Sequence, residues 1–487
     1  MRAHVRRTKI LATVGPASAG RKMALRLIQA GADGIRINAS HGTPDEWREW
    51  AAGVRHAADI AGRPVALLFD LSGPKIRLSP DIEGRDIAMA QEVAFAAEDG
   101  PSNGAIPVRW AELAGAVVPG RSEIVIGDGT PRFAVTAVSP SGLVSARCER
   151  PGRLGPAKGV YVTHAVAQAA AITEKDLVDL DVAVEIGAEF VAMSFVRSAE
   201  DVRLLRSELE SRGGTARIVA KIEKTEAVDH LQEILEVADG VMVARGDLGV
   251  EAGAARVPLL QKRIIREATV AGKLVITATQ MLESMLTSPE PTRAEASDIT
   301  NAILDGTSAV MLSGETAVGS YPAEAVEVMS EIAREAQAGT PFAVDIKAVP
   351  VDQAEAVVQS ATYLAEQIDA AALVIPTATG GSARAAAKYR PARPIIALAE
   401  EETITNQLAL EWGVISATLP ARHGVISDLL DEALWSSRAV GRLQNGDTVV
   451  ITNGQSGRVV GGTDLIAVRE VGAGLPPGAS GIDPAFG

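Results

Sequence analysis

The sequence predicts an α/β protein: a closed parallel (β/α)8 barrel, interrupted by a small β-barrel cap domain and followed by a separate α/β domain. Three observations predict it. Eight short apolar runs rich in β-branched residues recur, most of them followed by helical periodicity. About a hundred residues part the third run from the fourth, where a connection of roughly two to six is ordinary. After residue 340 the alternation of strand-like and helix-like stretches starts again.

The eight runs are residues 8–15, 34–40, 65–70, 190–195, 217–223, 240–247, 274–280 and 308–315. Helical spacing follows most of them, as with Leu259, Ile264 and Ile265 after Val257-Pro258. Eight βα units are the number that closes a TIM barrel, whose chemistry sits at the C-terminal ends of its strands. Polar residues gather at those ends: Asn38 and Ser40, Asp70, Ser194, Lys221 and Glu223, Arg245 and Asp247, Thr279, and Ser313 with Glu315. The barrel is expected over 1–71 and 169–340. The insertion, 72–168, is rich in Gly, Pro and Val and carries the hairpin-like Ile126-Gly127-Asp128-Gly129, so a β cap over the barrel mouth is expected. A passive insertion is the other reading. The last domain is expected over 341–471, with strands near 373–376, 395–398 and 448–452. A Gly/Pro-rich tail, 472–487 with Pro476-Pro477, is expected to be unstructured.

Composition narrows the function. Aromatics are only 3%, so the apolar mass is Ala, Val, Leu and Ile, which suits helix-covered parallel sheets. Acids outnumber bases 61 to 47, a net charge of −14, which argues against nucleic acid and anionic membrane as partners. Cys148 is the one cysteine, so no internal disulfide forms and a reducing, cytoplasmic setting is expected. The basic stretch Met1 to Arg7 runs into Gly15-Pro16 without a signal-type apolar region, and no apolar run is long enough to span a bilayer.

Strand alternation points Lys221 and Glu223 to one side, and Ala244-Arg245-Gly246-Asp247 brings a second carboxylate from the next strand. Two carboxylates suit Mg²⁺, which completes its octahedron with water and substrate oxygens. The histidines lack zinc-like spacing. A lysine beside such an ion suits a migrating phosphoryl group, whose spread charge needs cations. By itself, Lys221–Glu223 is equally a salt bridge at the rim. Arg36, Asn38 and Ser40 share one strand face, an anion clamp followed by oxygen ligands. Gly246 admits close approach of the backbone to a ligand, and the residues after it could open a helix whose N–H groups hold an anion.

At this point the chain resembles the pyruvate kinase family. The resemblance rests on 8–18, 38–42, Asp70 with 73–77, 221–223, 242–251, 277–285, 291–297 and 311–316. It spans the barrel and fits the order of all three domains. It implies phosphoryl transfer from phosphoenolpyruvate to ADP, giving pyruvate and ATP. Glu223 and Asp247 would hold Mg²⁺, with Mn²⁺ a substitute. Lys221 and Arg36 would stabilise the phosphoryl group, and the amides of Ala244, Arg245, Gly246 and Asp247 would bind the substrate carboxylate. Thr279 would stand where the enolate is protonated, with Ser313 in the relay. Thr13, Pro16, His41 and Lys158 match positions near the nucleotide, and Arg77 a cap-hinge arginine. A homotetramer is implied.

The sequence departs from the family pattern in places. The monovalent-cation positions are Asn38, Ser40, Asp70 and Leu71, but Lys75 follows Gly73-Pro74 where the potassium-dependent branch has an acid. A tethered ammonium in place of K⁺ is expected, and activity without added K⁺. A plain surface lysine is the other reading. Ala39 replaces a phenylalanine usual in this motif. Lys158-Gly159-Val160 lacks the Leu-Pro-Gly that usually follows, which leaves the path back from the cap open. Thr377, Thr379, Gly380, Gly381 and Ser382 resemble the family's sugar-phosphate effector loop, with few cations. That favours a sugar monophosphate or AMP, and a solvent-filled turn stays open beside it. Two other functions also stay open. One is a metal-dependent lyase acting on pyruvate or oxaloacetate; the other is a catalytically silent relative that senses metabolites.

Overall fold

The computed structural model describes residues 6–101, 104–127, 129–165, 170–339, 349–419, 433–434, 436–438, 440, 443–454 and 462–472. Residues 1–5 of the basic N-terminus, Asp128 of the hairpin signal and residues 166–169 and 340–348 at two expected domain joins lie outside them. So does 473–487 of the expected tail.

Eight parallel strands close into a barrel. In chain order they are Lys9–Thr13, Gly34–Asn38, Ala66–Asp70, Phe190–Met193, Arg217–Ile222, Gly240–Ala244, Leu274–Ala278 and Ala309–Leu312. Each falls within one of the eight expected runs. The first strand pairs with the eighth, Lys9 opposite Ala309, and this pairing completes the closure. Helices pack outside. Pro44–Ala61 opens on a capping box in which Thr43 and Glu46 satisfy each other's backbone N–H groups, and Thr173 with Asp176 and Thr292 with Glu295 do the same for two others.

Period-two alternation divides each strand. Ile10, Ile35, Leu67, Val191 and Ile218 face the helices, while Leu11, Leu68, Ala192, Val219, Met242 and Met311 fill the lumen. Leu410, from the C-terminal part of the chain, joins the lumen cluster from below. A Cβ on Gly34 would come within 2.9 Å of its Cδ2, so glycine there leaves room for the plug. Two residues further up the strands, the same inward face carries Arg36, Asp70, Ser194 and Lys221. The lumen therefore changes from apolar to charged within one layer.

The inserted segment builds a partial, barrel-like six-stranded sheet from Glu92–Ala97, Ile106–Val108, Glu123–Ile126, Arg132–Val138, Val144–Arg150 and Val160–Val162. It has its own core, in which Phe95 and Phe133 meet edge to face at 5.1 Å. Cys148 is buried in that core, and burial pushes its thiol up, as suits an inert packing residue. The path back from the insertion is now visible. Val160–Val162 pairs antiparallel with Glu123–Ile126, and Gly159 bridges Arg77 beside the way in.

The C-terminal unit is a five-stranded sheet ordered Val414–Thr418, Ile395–Ala399, Ala372–Pro376, Thr448–Asn453 and Leu465–Glu470, with helices such as Gln353–Gln367 packed on it. The three expected strands are its middle. The two outer ones are additions; edge strands are half solvated and give a weak apolar signal, as Arg469 and Glu470 illustrate. No helix among the described residues is long and apolar enough to cross a membrane.

Candidate active site

Lys221 stands at the centre. Its ammonium donates to Ser194 Oγ at 2.7 Å and lies 3.0 Å from Glu223 Oε1 and 3.3 Å from Asp70 Oδ1. Asp70 accepts from Arg36 Nε at 2.7 Å through its other oxygen, and Arg36 also donates to Thr13 Oγ1 at 3.2 Å. Five neighbouring strands, the first to the fifth, thus deliver one network, because each carries its polar residue at the same height of the inward face. Ser194 in turn donates to the Leu71 carbonyl at 2.7 Å, and Phe195 N donates to Glu223 Oε2 at 2.7 Å.

The electrostatics follow from burial. Burial alone would lower Lys221, but the Asp70 and Glu223 charges outweigh it and keep the ammonium protonated. Burial would raise Asp70, yet Lys221 and Arg36 hold it below the ordinary carboxylate range. Glu223 goes the other way. Burial lifts it, Lys221 opposes, and the nearby Asp247 charge adds to the rise. Asp70 Oδ1 and Glu223 Oε1 are buried within ion-pair distance of Lys221 but without hydrogen-bond geometry. Such acceptors are underused, and they fit a site that takes a further cation.

The sixth strand ends at Ala244, and the helix Arg245–Ala252 begins at once. The run expected to stay extended to Asp247 is therefore shorter. Gly246 and Asp247 belong to a first helical turn, where backbone N–H groups are free of partners within the helix and favour anions. Arg245 fixes this turn. Its guanidinium reaches Asp298 at 2.5 Å and the Thr279 carbonyl at 2.6 Å. Gly246 N donates to Thr279 Oγ1 at 2.9 Å. Thr279 has φ 70°, a left-handed conformation a β-branched residue rarely adopts. Arg245 and Gly246 together hold it there. Ser313 lies one strand further round, its N–H donating to Glu315 Oε2 at 2.7 Å, while Glu315 Oε1 accepts from Leu282 N at 3.0 Å. Buried Glu315 so clamps the loops after the seventh and eighth strands together.

The remaining expected residues are placed less centrally. The second strand ends at Asn38, and Ser40 sits in the turn beyond, its N–H on Asn38 Oδ1 at 3.1 Å. Pro16 and His41 are exposed at the rim. Burial and then the Arg36, Arg77 and Lys75 charges hold His41 below its ordinary range. Lys75 is exposed; its Cε lies 3.6 Å from where a Cβ on Gly159 would stand. Arg77 donates to the Ala157 carbonyl at 3.0 Å, and Lys158 Nζ donates to the Arg153 carbonyl at 2.9 Å within the inserted unit. In the C-terminal unit Gly380 has φ 79° and its N–H meets Thr377 Oγ1 at 3.0 Å. Ser382 Oγ lies 2.8 Å from Thr463 Oγ1, Arg384 donates to the Thr379 carbonyl at 2.7 Å, and Gly381 starts a helix.

Sequence reasoning missed two partners. Asp70 was assigned to a monovalent cation, and its pairing with both Arg36 and Lys221 follows only from barrel closure. Tyr161, from the inserted unit, donates to Asp247 Oδ1 at 2.5 Å, and nothing in the local sequence announces that contact.

Fold and site together define a barrel enzyme whose mouth holds buried cations between carboxylates, a class suited to handling a phosphorylated anion. Residues 5–326 match the family described as pyruvate kinase, barrel domain, and residues 355–469 match pyruvate kinase, alpha/beta domain. The pyruvate kinase of Geobacillus stearothermophilus is 40% identical, the similarity covering 99% of this chain and 83% of that one. That of Clostridium perfringens (strain 13 / Type A) is 37% identical, over 96% of this chain and 100% of its own. That of Mycobacterium tuberculosis (strain CDC 1551 / Oshkosh) is 38% identical, over 96% and 99%. The chain belongs to the pyruvate kinase family and is a phosphotransferase.

Proposed function

We propose that this enzyme moves the phosphoryl group of phosphoenolpyruvate to ADP, releasing pyruvate and ATP, with Mg²⁺ at Glu223 and Asp247. The observation that carries this reading is the Lys221 ammonium, buried and charged between Asp70 and Glu223. A fixed cation at that point stabilises charge on a phosphoryl group in flight without reorganising water. Two carboxylates suit Mg²⁺, or Mn²⁺ in its place, with water and substrate oxygens filling the other positions. An ion held by Glu223 and Asp247 would supply positive charge to the reacting anions.

The protein's own groups do the rest. Arg36 is oriented by Asp70 and Thr13, so its remaining N–H groups can meet a phosphoryl oxygen. The helix start through Ala244, Arg245, Gly246 and Asp247 would receive the substrate carboxylate on its remaining amides, the Gly246 N–H being already on Thr279 Oγ1. The Thr279 hydroxyl accepts from Gly246 and keeps its own proton for the enolate carbon, with Ser313 in the relay. The nucleotide lies along Thr13, Pro16, His41, Arg77 and Lys158, and the inserted unit, 72–168, is the cap over it. The monovalent-cation positions Asn38, Ser40, Asp70 and Leu71 work without K⁺, because Lys75 supplies the charge. The enzyme is cytoplasmic and assembles as a homotetramer. The loop at Thr377, Thr379, Gly380, Gly381 and Ser382 takes a sugar monophosphate or AMP.

The test is pyruvate formation from phosphoenolpyruvate, ADP and Mg²⁺. Turnover that needs all three supports the reading. Pyruvate made from oxaloacetate without ADP would indicate a lyase, and no turnover a silent relative.

A further inference from the structure

The inserted unit meets the barrel around the helix Arg245–Ala252. Two side chains of the insertion hydrogen-bond that helix. Arg132 Nη2 donates to the Val250 carbonyl at 3.1 Å near its end, and Tyr161 donates to Asp247 Oδ1 at 2.5 Å in its first turn. The second contact ends on a carboxylate of the proposed metal site. A phenol on a carboxylate gives a short, strong hydrogen bond with a defined direction.

Strand pairing sets the position of the phenol. Tyr161 lies in the strand Val160–Val162, opposite Val125 of its antiparallel partner, so its backbone cannot slide. Gly159 lies against the ring: a Cβ there would stand 3.4 Å from Tyr161 Cε2, at ordinary van der Waals contact. The ring also borders a cavity of about 350 Å³ between the insertion and the barrel, lined by Lys75, Trp110, Phe195 and Lys224 among others. Packing is therefore loose on one side of the ring.

Resting on the reading of Asp247 as a metal ligand, we infer that Tyr161 is a positioning residue for the divalent ion. It reaches from the cap to hold Asp247 by Oδ1, and the carboxylate so held would share the ion with Glu223. Ligating carboxylates are commonly oriented by a second hydrogen bond of this kind, and its loss typically costs about 10- to 100-fold in metal affinity. The bond also ties the cap to the ion site, so an ordered carboxylate and a seated cap favour each other.

The experiment is Mn²⁺ binding to the full chain without substrates, followed by the electron paramagnetic resonance signal of free Mn²⁺, for wild type, Tyr161→Phe, Tyr161→Leu and Asp247→Asn. Tyr161→Phe should raise the Mn²⁺ Kd about tenfold, and Tyr161→Leu should raise it by as much. Amide hydrogen exchange over residues 160–162 should quicken in both. An unchanged or lowered Kd in Tyr161→Phe would overturn the inference, even if its melting temperature fell, because the tyrosine would then be structural only. Loss in Tyr161→Leu but not in Tyr161→Phe would overturn it too, since the ring and not the hydroxyl would matter. Asp247→Asn separates the two levels of argument. Mn²⁺ binding that needs Asp247 but ignores Tyr161→Phe sinks the positioning role alone. Binding indifferent to Asp247→Asn sinks the metal reading, and the positioning role falls with it.

Discussion

Lys221 of the fifth strand reaches across the barrel lumen to Asp70 of the third, Nζ to Oδ1 at 3.3 Å, while the same carboxylate is held by Arg36 from the second. One buried acid thus balances two cations, and Glu223 balances the rest. Removing one member leaves a buried charge without its partner, which typically costs about 3–5 kcal/mol.

Lys221→Met is therefore expected to act twice. Turnover should fall at least about a thousandfold, the scale seen when a cation on a transferring phosphoryl group is lost. Binding of phosphoenolpyruvate, followed by equilibrium dialysis, should be largely kept. The melting temperature should drop as well. Full activity in this variant would refute the proposed role.

Potassium gives a second expectation. In tetramethylammonium buffer free of K⁺, initial rates should match those with K⁺ added. Lys75→Glu should create a K⁺ requirement, because it removes the tethered charge and supplies an acid. A wild-type enzyme idle without K⁺ would end this idea.

The effector loop predicts a change in rate when a sugar monophosphate or AMP is titrated at subsaturating phosphoenolpyruvate. Arg384→Gln should weaken that response, since Arg384 braces the Thr379 carbonyl inside the loop. A flat titration in wild type would remove the effector proposal.

Lys9 carries a pH prediction. It is buried under the barrel, its ammonium on the Val414 carbonyl at 2.6 Å, and burial, only partly offset by Asp33, pushes it down to about 8. The unfolded chain keeps this proton up to its ordinary value of 10.5. Between about pH 8 and pH 10.5 the unfolded state binds more protons than the folded one, so stability rises with pH through that window. The whole step is worth about 3 kcal/mol. Wild type should gain melting temperature relative to Lys9→Met between pH 8 and pH 10; parallel curves would refute it.

Leu410→Ala tests the plug. The lost side chain leaves a hole at the base of the lumen, with a cost of about 2–5 kcal/mol. Calorimetry should show the barrel transition shifting with it, although Leu410 comes from the C-terminal part of the chain. A barrel transition left unmoved would show that the contact carries little energy.

Local pattern made most of this legible. The eight strands are apolar and β-branched because both of their faces are buried, so each reads as a short continuous run whatever surrounds it. That Lys221 and Glu223 share one side follows from alternation alone. The outer strands of the C-terminal sheet are hidden in the sequence because half-exposed edges have no such signature. The start of the helix Arg245–Ala252 was also misplaced by a few residues, since Arg-Gly-Asp has no strong preference until Thr279 and Asp298 take hold of it.

The sequence by itself determined which residues carry charge at the strand ends and that their spacing puts them on one shared face, because period-two geometry needs no partner. The tertiary structure decided who pairs with whom. Barrel closure brings Arg36, Asp70, Ser194 and Lys221 into one network across strands up to 185 residues apart, the separation of positions 36 and 221. It also sets Tyr161 on Asp247. Those contacts depend on how separate segments are rotated against each other, and no local window of sequence holds that information.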